Sequence, residues 1–438
     1  MLTSITIRNF KSYREATLPL APLTLLIGAN ASGKSNAIEA IRFLSWLARG
    51  QRLSALQYQI QASDLAIRGN ARDLMARDAA SFGFACALGN TLFDGIESDA
   101  FSITLRQRGN DLEISDERML TSRSRVPLYE TKEPAAEGSA DVRVAYDNFA
   151  RGGIKPQIIC SNQQAIFTQL QTAARFQKGH DTAQEVIPLV TESLANDLAT
   201  IVLLDPEPRA MRTYVDHSEL RPREDGSNMS AMLNAIWQAE ENRERLLSII
   251  RSLPEQDIAG LDFIATSRGD VMIQLVETFG GRKVAVDAPL LSDGTLRVLA
   301  IAATLLSAPH DTMVVIEEID NGVHPSRAHQ LMSSIQEVAK QRRLRVLLTT
   351  HNPALMDALP IESLADVVFC YRDPEAGDSR LVRLSDLPDY PQLMAQGELG
   401  DLVTAGIVDR IVKQQQTPED KKKRALEWLE GLRTGTGA

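Results

Sequence analysis

The stretch Gly28-Ala29-Asn30-Ala31-Ser32-Gly33-Lys34-Ser35 decides the reading of this 438-residue chain. It fits the pattern GxxxxGK[ST], follows the apolar run Leu23-Thr24-Leu25-Leu26-Ile27 and opens a helical pattern. It therefore reads as strand, phosphate-binding loop and helix. Gly28 and Gly33 let the backbone curl until consecutive N–H groups face a β-phosphate at a helix N-terminus. Lys34 adds a cation for the β- and γ-phosphates, and the Ser35 hydroxyl can ligate Mg²⁺. Asn30 reaches toward the γ-phosphate from the crest, and Ala29, Ala31, Ser32 and Asn36 complete the candidate nucleotide-binding stretch.

Far downstream, the apolar run Met313-Val314-Val315-Ile316 ends in Glu317-Glu318. A buried strand of this kind delivers both acids to the carboxyl edge of a parallel sheet, where the phosphate loop also sits. Glu317 is placed to hold Mg²⁺ through water, and Glu318 to orient or deprotonate an attacking water. A second apolar strand, 345–348, leads into Thr349-Thr350-His351-Asn352, with His351 33 residues beyond Glu318. Ahead of both lies Leu291-Ser292-Asp293-Gly294-Thr295-Leu296-Arg297, a Ser-capped helix start whose Ser292 precedes Glu318 by 26 residues.

Bulk properties narrow the class. The chain is 44% hydrophobic and 24% charged, in the ordinary globular range. No window approaches the roughly 18 uncharged apolar residues of a membrane span. The N-terminus runs straight into a strand pattern with no signal-peptide core, which points to the cytoplasm. Cys86, Cys160 and Cys370 are scattered without a CxxC pair, so they outline neither a zinc site nor a disulfide framework. A formal charge of −10 lowers the expectation of nucleic-acid binding by the whole surface and leaves room for a local basic patch or for contact made by a partner.

Along the chain, Ala37, Ile38, Ile41, Leu44 and Leu47 form a helix-period stripe behind the phosphate loop. Residues 82–105 alternate like two antiparallel strands, and 116–139, rich in Ser, Arg, Glu and Pro, read as a surface loop. Residues 155–253 read as mostly helical, with one long amphipathic packing helix over 229–253. Strand patterns return over 263–287, followed by alternating helices and buried strands, the signature of βαβ units.

Taken together, these motifs resemble the SMC/RecF/OLD-like branch of ABC ATPases, and more closely the compact bacterial AAA15/AAA21-type ATPases. The resemblance rests on Ile5-Thr6-Ile7-Arg8-Asn9-Phe10-Lys11-Ser12-Tyr13, Asn36, Leu204-Asp205-Pro206, Asp225-Gly226-Ser227-Asn228, Thr350-His351-Asn352 and Gly397-Glu398-Leu399-Gly400-Asp401-Leu402, besides the loop and the acid pair. It implies an α/β P-loop fold of ABC-ATPase head type, a mixed sheet with flanking helices plus a mostly helical insertion. It divides the chain into a lobe over 1–150 with the phosphate loop and antiparallel strands, a helical insertion over 151–260, a second lobe over 261–415 and a charged tail over 416–438. It makes LSDGTLR the family's signature, in which Ser292 and Gly294 grip the γ-phosphate of ATP held by another subunit. It makes Ile319 to Pro325 a D-loop with His324 structural or at an interface, and His351 a switch histidine that hydrogen-bonds the γ-phosphate. Where many relatives carry Asp, this chain has Glu317. The Q-loop stays open between Gln57, Gln59 and Gln61.

The resemblance implies an ATP- and Mg²⁺-dependent ATPase that forms a nucleotide-sandwiched dimer or a higher assembly. There is no long coiled coil and no Cys-x-x-Cys apex, and Asp366, Asp373, Glu375 and Asp378 read as a solvated turn, not as a nuclease centre. The expected role is thus a switch that gates a separately encoded effector, such as a nuclease or toxin in anti-phage defence. The alternative is a RecF-like ATPase that binds DNA ends, with Arg209, Arg212, Arg221 and Arg223 as raw material for a basic stripe. A scaffold that binds ATP without turnover fits less well with Lys34, Glu318 and His351 all in place.

Overall fold

The computed structural model describes residues 1–61, 67–89, 91–93, 96–109, 111–121, 124–133, 139–250, 258–320 and 325–413. Residues 321–324 of the expected D-loop, His324 among them, and the tail 416–438 lie outside the described residues.

Strands come in three groups. The first holds β1 (Leu2–Phe10), β2 (Tyr13–Pro19), β3 (Leu23–Ile27), β4 (Ser81–Leu88), β5 (Thr91–Phe93), β6 (Ile96–Arg108), β7 (Asp111–Thr121), β8 (Ser124–Glu133), β9 (Asp141–Tyr146) and β10 (Gln157–Ser161). The second holds β11 (Val202–Leu204), β12 (Val215–Asp216), β13 (Ile258–Ala265), β14 (Asp270–Phe279) and β15 (Arg282–Asp287). The third holds β16 (Met313–Ile316), β17 (Arg345–Thr349), β18 (Val367–Arg372) and β19 (Ser379–Arg383). The principal helices are α1 (Lys34–Ala48), α2 (Leu56–Gln61), α3 (Ile166–Gln169), α4 (Asp181–Ala199), α5 (Met229–Gln238), α6 (Glu240–Ile250), α7 (Asp293–Ser307), α8 (Ala328–Arg342) and α9 (Pro353–Asp357).

Among the described residues, a sheet of 15 strands runs β10-β9-β8-β7-β6-β4-β1-β2-β19-β18-β3-β17-β16-β11, with β5 paired to β6. From β10 to β2 every pairing is antiparallel. From β18 to β11 every pairing is parallel. The parallel strands read as continuous apolar runs because both faces are covered. Leu26, Met313, Val315 and Leu347 join one core with Ile38, Ile41 and Leu44 of α1 and Leu194 and Leu198 of α4. Their neighbours Leu25, Ile27, Val314, Ile316 and Leu348 join the opposite core with α5, α7 and α8. Each fully buried Leu, Ile or Val contributes about 1.5–3 kcal/mol, so α1 and α7 are locked to opposite faces of the same strands. Because β3, β16 and β17 are parallel, their carboxyl ends open on one edge, and the motifs gather there.

Two sequence expectations need correction. Residues 116–139, read as a surface loop, carry most of β7 and β8, paired with Arg118 opposite Glu130 and Met119 opposite Tyr129. Their polar content misled because one inward position is itself a carboxylate. Glu117 is fully buried and accepts hydrogen bonds from Ile166 N and Phe167 N at 2.7 Å and from Tyr129 OH at 2.9 Å. The helix read as continuous over 229–253 breaks at Ala239, where the backbone turns extended (φ −85, ψ 102). The halves, α5 and α6, pack in the same core as α7. Residues 155–253 also include β10, β11 and β12 among their helices, and β11 is the outer parallel strand beside β16. A small second sheet, β12-β14-β13 with β15 on β14, joins β12, which precedes α5 in the chain, to β13–β15, which lie between α6 and α7.

Candidate functional site

The phosphate loop is shaped by strands that arrive late in the chain. A Cβ on Gly28 would lie 2.1 Å from the Cys370 carbonyl oxygen, and one on Gly33 would lie 2.4 Å from Ser379 Oγ. Both glycines also sit at positive φ, 145 and 124 degrees, so only glycine fits the contact and the backbone together. Ser379 donates to Ser32 O at 2.5 Å and lies 2.7 Å from Ser12 Oγ. Asn36 Nδ2 donates to Ser12 Oγ at 2.7 Å, and Tyr13 OH donates to Gly33 O at 3.0 Å. The loop is thus pinned between the β1–β2 turn and the β18–β19 pair. Lys34 folds back on the loop, donating to Gly28 O at 2.6 Å and Ala29 O at 3.1 Å. Partial burial lowers its pKa, while Cys370, Glu318 and Asp320 pull the other way.

Across the cavity stand the acids. Glu317 N donates to Leu204 O at 2.9 Å, tying the end of β16 to β11. Burial pushes the Glu317 carboxyl up to about 7, against Arg42, whose guanidinium lies 3.4 Å away and also pairs with Glu224. Glu318 has a left-handed backbone, φ 46, a strained state for a non-glycine residue. Thr349 holds that turn: its Oγ1 accepts from Glu318 N at 2.9 Å and its carbonyl accepts from Ile319 N at 3.1 Å. His351 is half exposed, and its Nε2 lies 3.3 Å from Oδ2 of the buried Asp320. Thr350 Oγ1 donates to the other Asp320 oxygen at 2.8 Å. Burial first, and the Glu318 charge second, raise the Asp205 carboxyl as well.

One cavity of about 420 Å³ is lined by loop residues Ala29, Asn30, Ala31, Gly33, Lys34, Ser35 and Asn36 together with Glu317, Glu318 and His351. Gly28 and Ser32 are buried beneath that lining. The cavity pairs a cation and an exposed hydroxyl with facing carboxylates, a donor set suited to a phosphate chain bridged to Mg²⁺ through Ser35 and Glu317. Ser292 and Gly294 do not line it. Ser292 is exposed at the start of α7, where its side chain accepts from Thr295 N at 3.1 Å. Gln57 binds Asn70 and Gln59 binds Trp46, and none of the three candidate glutamines lines the cavity.

Sequence reasoning missed several contributors. Arg68 and Arg372 line the cavity, and Thr349 sets the turn of Glu318. Arg372 Nε donates to Ala31 O at 3.2 Å, and Arg68 binds Glu39 at 2.6 Å and Asn36 at 3.2 Å. An isolated arginine has no pattern around it, so only the fold could bring these to the loop. Of the arginines considered for DNA, Arg212 is ion-paired to Asp293 and Arg223 to Glu219, while Arg209 and Arg221 are exposed. Of the late acids, Asp366 pairs with Arg383 and Asp378 with Arg380, and Asp373 accepts the Glu375 and Ala376 amides at 2.9 and 2.8 Å. No helix among the described residues is long and apolar enough to cross a membrane.

Two family models match the chain in order. That described as "AAA ATPase domain" matches residues 1–103, and that described as "AAA domain, putative AbiEii toxin, Type IV TA system" matches residues 175–357. Over 47 residues the chain is 49% identical to the DNA replication and repair protein RecF of Cyanothece sp.. That stretch is 10% of this chain, and the chain spans only 12% of the length of that curated relative. Among solved structures, the SmcHead bound to the C-winged helix domain of ScpA is similar at 16% identity and a TM-score of 0.47, covering 87% of this chain and 96% of that one. The SMC head domain from Thermotoga maritima is similar at 15% identity and a TM-score of 0.40, covering 87% and 98%.

Proposed function

We propose that this chain, an SMC/RecF-like AAA ATPase by the families it matches, binds and hydrolyses ATP in a site completed by a second copy and uses nucleotide state to gate a partner effector. One observation carries the reading. The phosphate loop, both acids and His351 share one cavity, while Ser292 and Gly294 stand outside it at an exposed helix start. Half of a phosphate-gripping site is built in each chain, and the other half is offered outward.

In this reading Lys34 leaves the Gly28 and Ala29 carbonyls for the β- and γ-phosphates, and the loop amides take the remaining charge. Ser35 and Glu317 would hold Mg²⁺, which when bound would neutralise charge on the phosphate chain. Glu318, held by Thr349, orients the attacking water and takes up its proton. His351, steadied by Asp320, hydrogen-bonds the γ-phosphate and registers its loss. Ser292 and the first-turn amides of α7 close over the γ-phosphate from the partner copy. A separate effector suits the chain because the late acids Asp366, Asp373 and Asp378 are engaged in ion pairs and a turn, and one matching family is described in terms of a toxin system. An effector such as a nuclease or toxin in a cytoplasmic anti-phage system suits that role.

The short RecF match favours the second reading, a DNA-end-binding ATPase. Against it, two of the four candidate arginines are engaged in ion pairs. Mg²⁺-dependent phosphate release by the wild type, absent in Lys34→Ala, is the expected result; equal release by both sinks the ATPase reading. Salt-sensitive DNA binding by the isolated chain would shift the choice to the second reading.

A further inference from the structure

We propose that Arg212 is a positioning residue for the signature segment, holding residues 288–293 in the shape that presents Ser292 and Gly294 to nucleotide bound by a second copy. The inference rests on the two-copy site proposed above and deepens it.

Arg212 ends the 3-10 turn Ala210–Arg212, and its guanidinium converges on one short stretch of chain. Nη1 donates to Pro289 O at 2.7 Å and to Leu291 O at 2.8 Å, with Ala288 O at 3.4 Å. Nη2 donates to Asp293 Oδ1 at 2.5 Å. Every one of these partners lies within residues 288–293, immediately before or at the start of α7. With these carbonyls turned toward Arg212 and Thr295 N capped by Ser292 Oγ at 3.1 Å, the Asp293 and Gly294 N–H groups are the first-turn donors left for an anion.

The charge matters as much as the shape. Asp293 is acidic, in the first turn of α7 and 71% exposed. A bare carboxylate there would repel the γ-phosphate that Ser292 is meant to grip. Arg212 neutralises it. An ion pair this exposed adds little to stability, so its value lies in what it does to the surface offered to the partner.

The other end of the strap is anchored. Met211 is fully buried, and a Cβ on Gly226 would lie 2.7 Å from its Cε. Ala210 N donates to Glu207 O, Glu207 N to Asp225 O and Asp205 N to Glu224 O, all at 2.8–2.9 Å. Just before them, Leu204 pairs with Ile316 and accepts from Glu317 N. A continuous hydrogen-bonded segment therefore runs from the acid of a chain's own cavity to the signature it offers outward. Lysine could keep the charge but could not span two carbonyls and a carboxylate with one planar fork.

The test mixes two variants before ATP is added. Arg212→Ala should bind a fluorescent ATP analogue within about twofold of wild type, but its ATP-driven mass doubling and phosphate release should fall by about tenfold or more, the effect of losing one charge-assisted hydrogen-bonded pair. Glu318→Gln alone should be inactive. In an equal mixture about half of the pairs are mixed, and in each of these one of two sites joins an intact Glu318 to an intact signature, so phosphate release should recover to about a quarter of the wild-type value. Wild-type behaviour of Arg212→Ala overturns the proposal. So does a mixture that recovers nothing although Arg212→Ala binds nucleotide, because Arg212 would then act on its own cavity. If Arg212→Ala does not fold, Arg212→Lys takes its place in the same mixture, with the same outcomes. A wild-type chain that hydrolyses ATP without ever doubling in mass removes the two-copy reading, and this inference with it.

Discussion

Replacing Gly28 by alanine tests whether the β18 contact shapes the phosphate loop. The added Cβ would sit 2.1 Å from the Cys370 carbonyl oxygen, whereas ordinary contact begins near 3.4 Å, so something must give by about 1.3 Å. The obstacle is backbone, and it cannot drift freely. β18 is in parallel register with β3 through Val367 and Leu25, Val368 and Leu26, and Phe369 and Ile27. Overpacking of this kind costs about 1–3 kcal/mol, and a non-glycine residue at φ 145 costs about 1–3 kcal/mol more. The sum, roughly 2–6 kcal/mol, corresponds to a Tm drop of several degrees at no more than about 2 °C per kcal/mol in a chain this long. Gly152→Ala is the control. Gly152 has φ 71 with nothing within 4 Å of the built Cβ, so it carries the strain without the collision. Thermal unfolding and binding of a fluorescent ATP analogue are measured on both variants. Gly28→Ala should lose several degrees and most of its nucleotide binding, and Gly152→Ala about a degree or two and none. If the two variants behave alike, the claim that β18 shapes the loop is wrong.

Three further outcomes are expected. Ser379→Ala removes the hydroxyl that donates to Ser32 O at 2.5 Å and should weaken nucleotide binding by about two- to tenfold, the worth of one hydrogen bond; an unchanged Kd by titration contradicts this. Thr349→Val removes the acceptor for Glu318 N, so kcat should fall while nucleotide Kd stays put, and a change confined to Kd would place Thr349 in binding instead. Burial raises the Glu117 carboxyl to about 8 from 4.5, so the folded state keeps a proton that the unfolded chain releases. The stability it contributes is fully present below about pH 4.5 and drains away as pH rises toward 8, by roughly 1 kcal/mol per unit. Glu117→Gln should flatten that slope in Tm measured from pH 5 to 8, and parallel slopes in both proteins would show that another group sets it.

How much of this was legible in the sequence depends on how tightly chemistry ties residue type to spacing. The loop at 28–35, the strand ending in Glu317-Glu318 and the strand before His351 could be read directly, because each joins a buried apolar run to polar groups at one sheet edge. The central parallel strands were legible for the same reason. β7 and β8 were not, since Glu117 occupies an inward position and Arg118 and Glu130 pair across the sheet like surface charges. The break at Ala239 was hidden because an apolar stripe continues across it. Arg68 and Arg372 reach the loop only through the fold, with no local pattern to mark them, and Arg212, read as raw material for a basic stripe, meets the signature segment in the same way. The two glycines of the loop were assigned to phosphate approach alone. The fold adds a second reason, the close passage of Cys370 and Ser379.

The central claim is that nucleotide held by Lys34 and Ser35 of one copy is closed over by Ser292 and Gly294 of another. Light scattering on Glu318→Gln tests it most directly. With ATP and Mg²⁺ the mass should double from 48.2 kDa, and adding Ser292→Arg to the same chain should return it to the single-copy value while nucleotide still binds. A Glu318→Gln chain that stays at one copy with ATP bound, or a doubled mass indifferent to Ser292→Arg, would contradict the account.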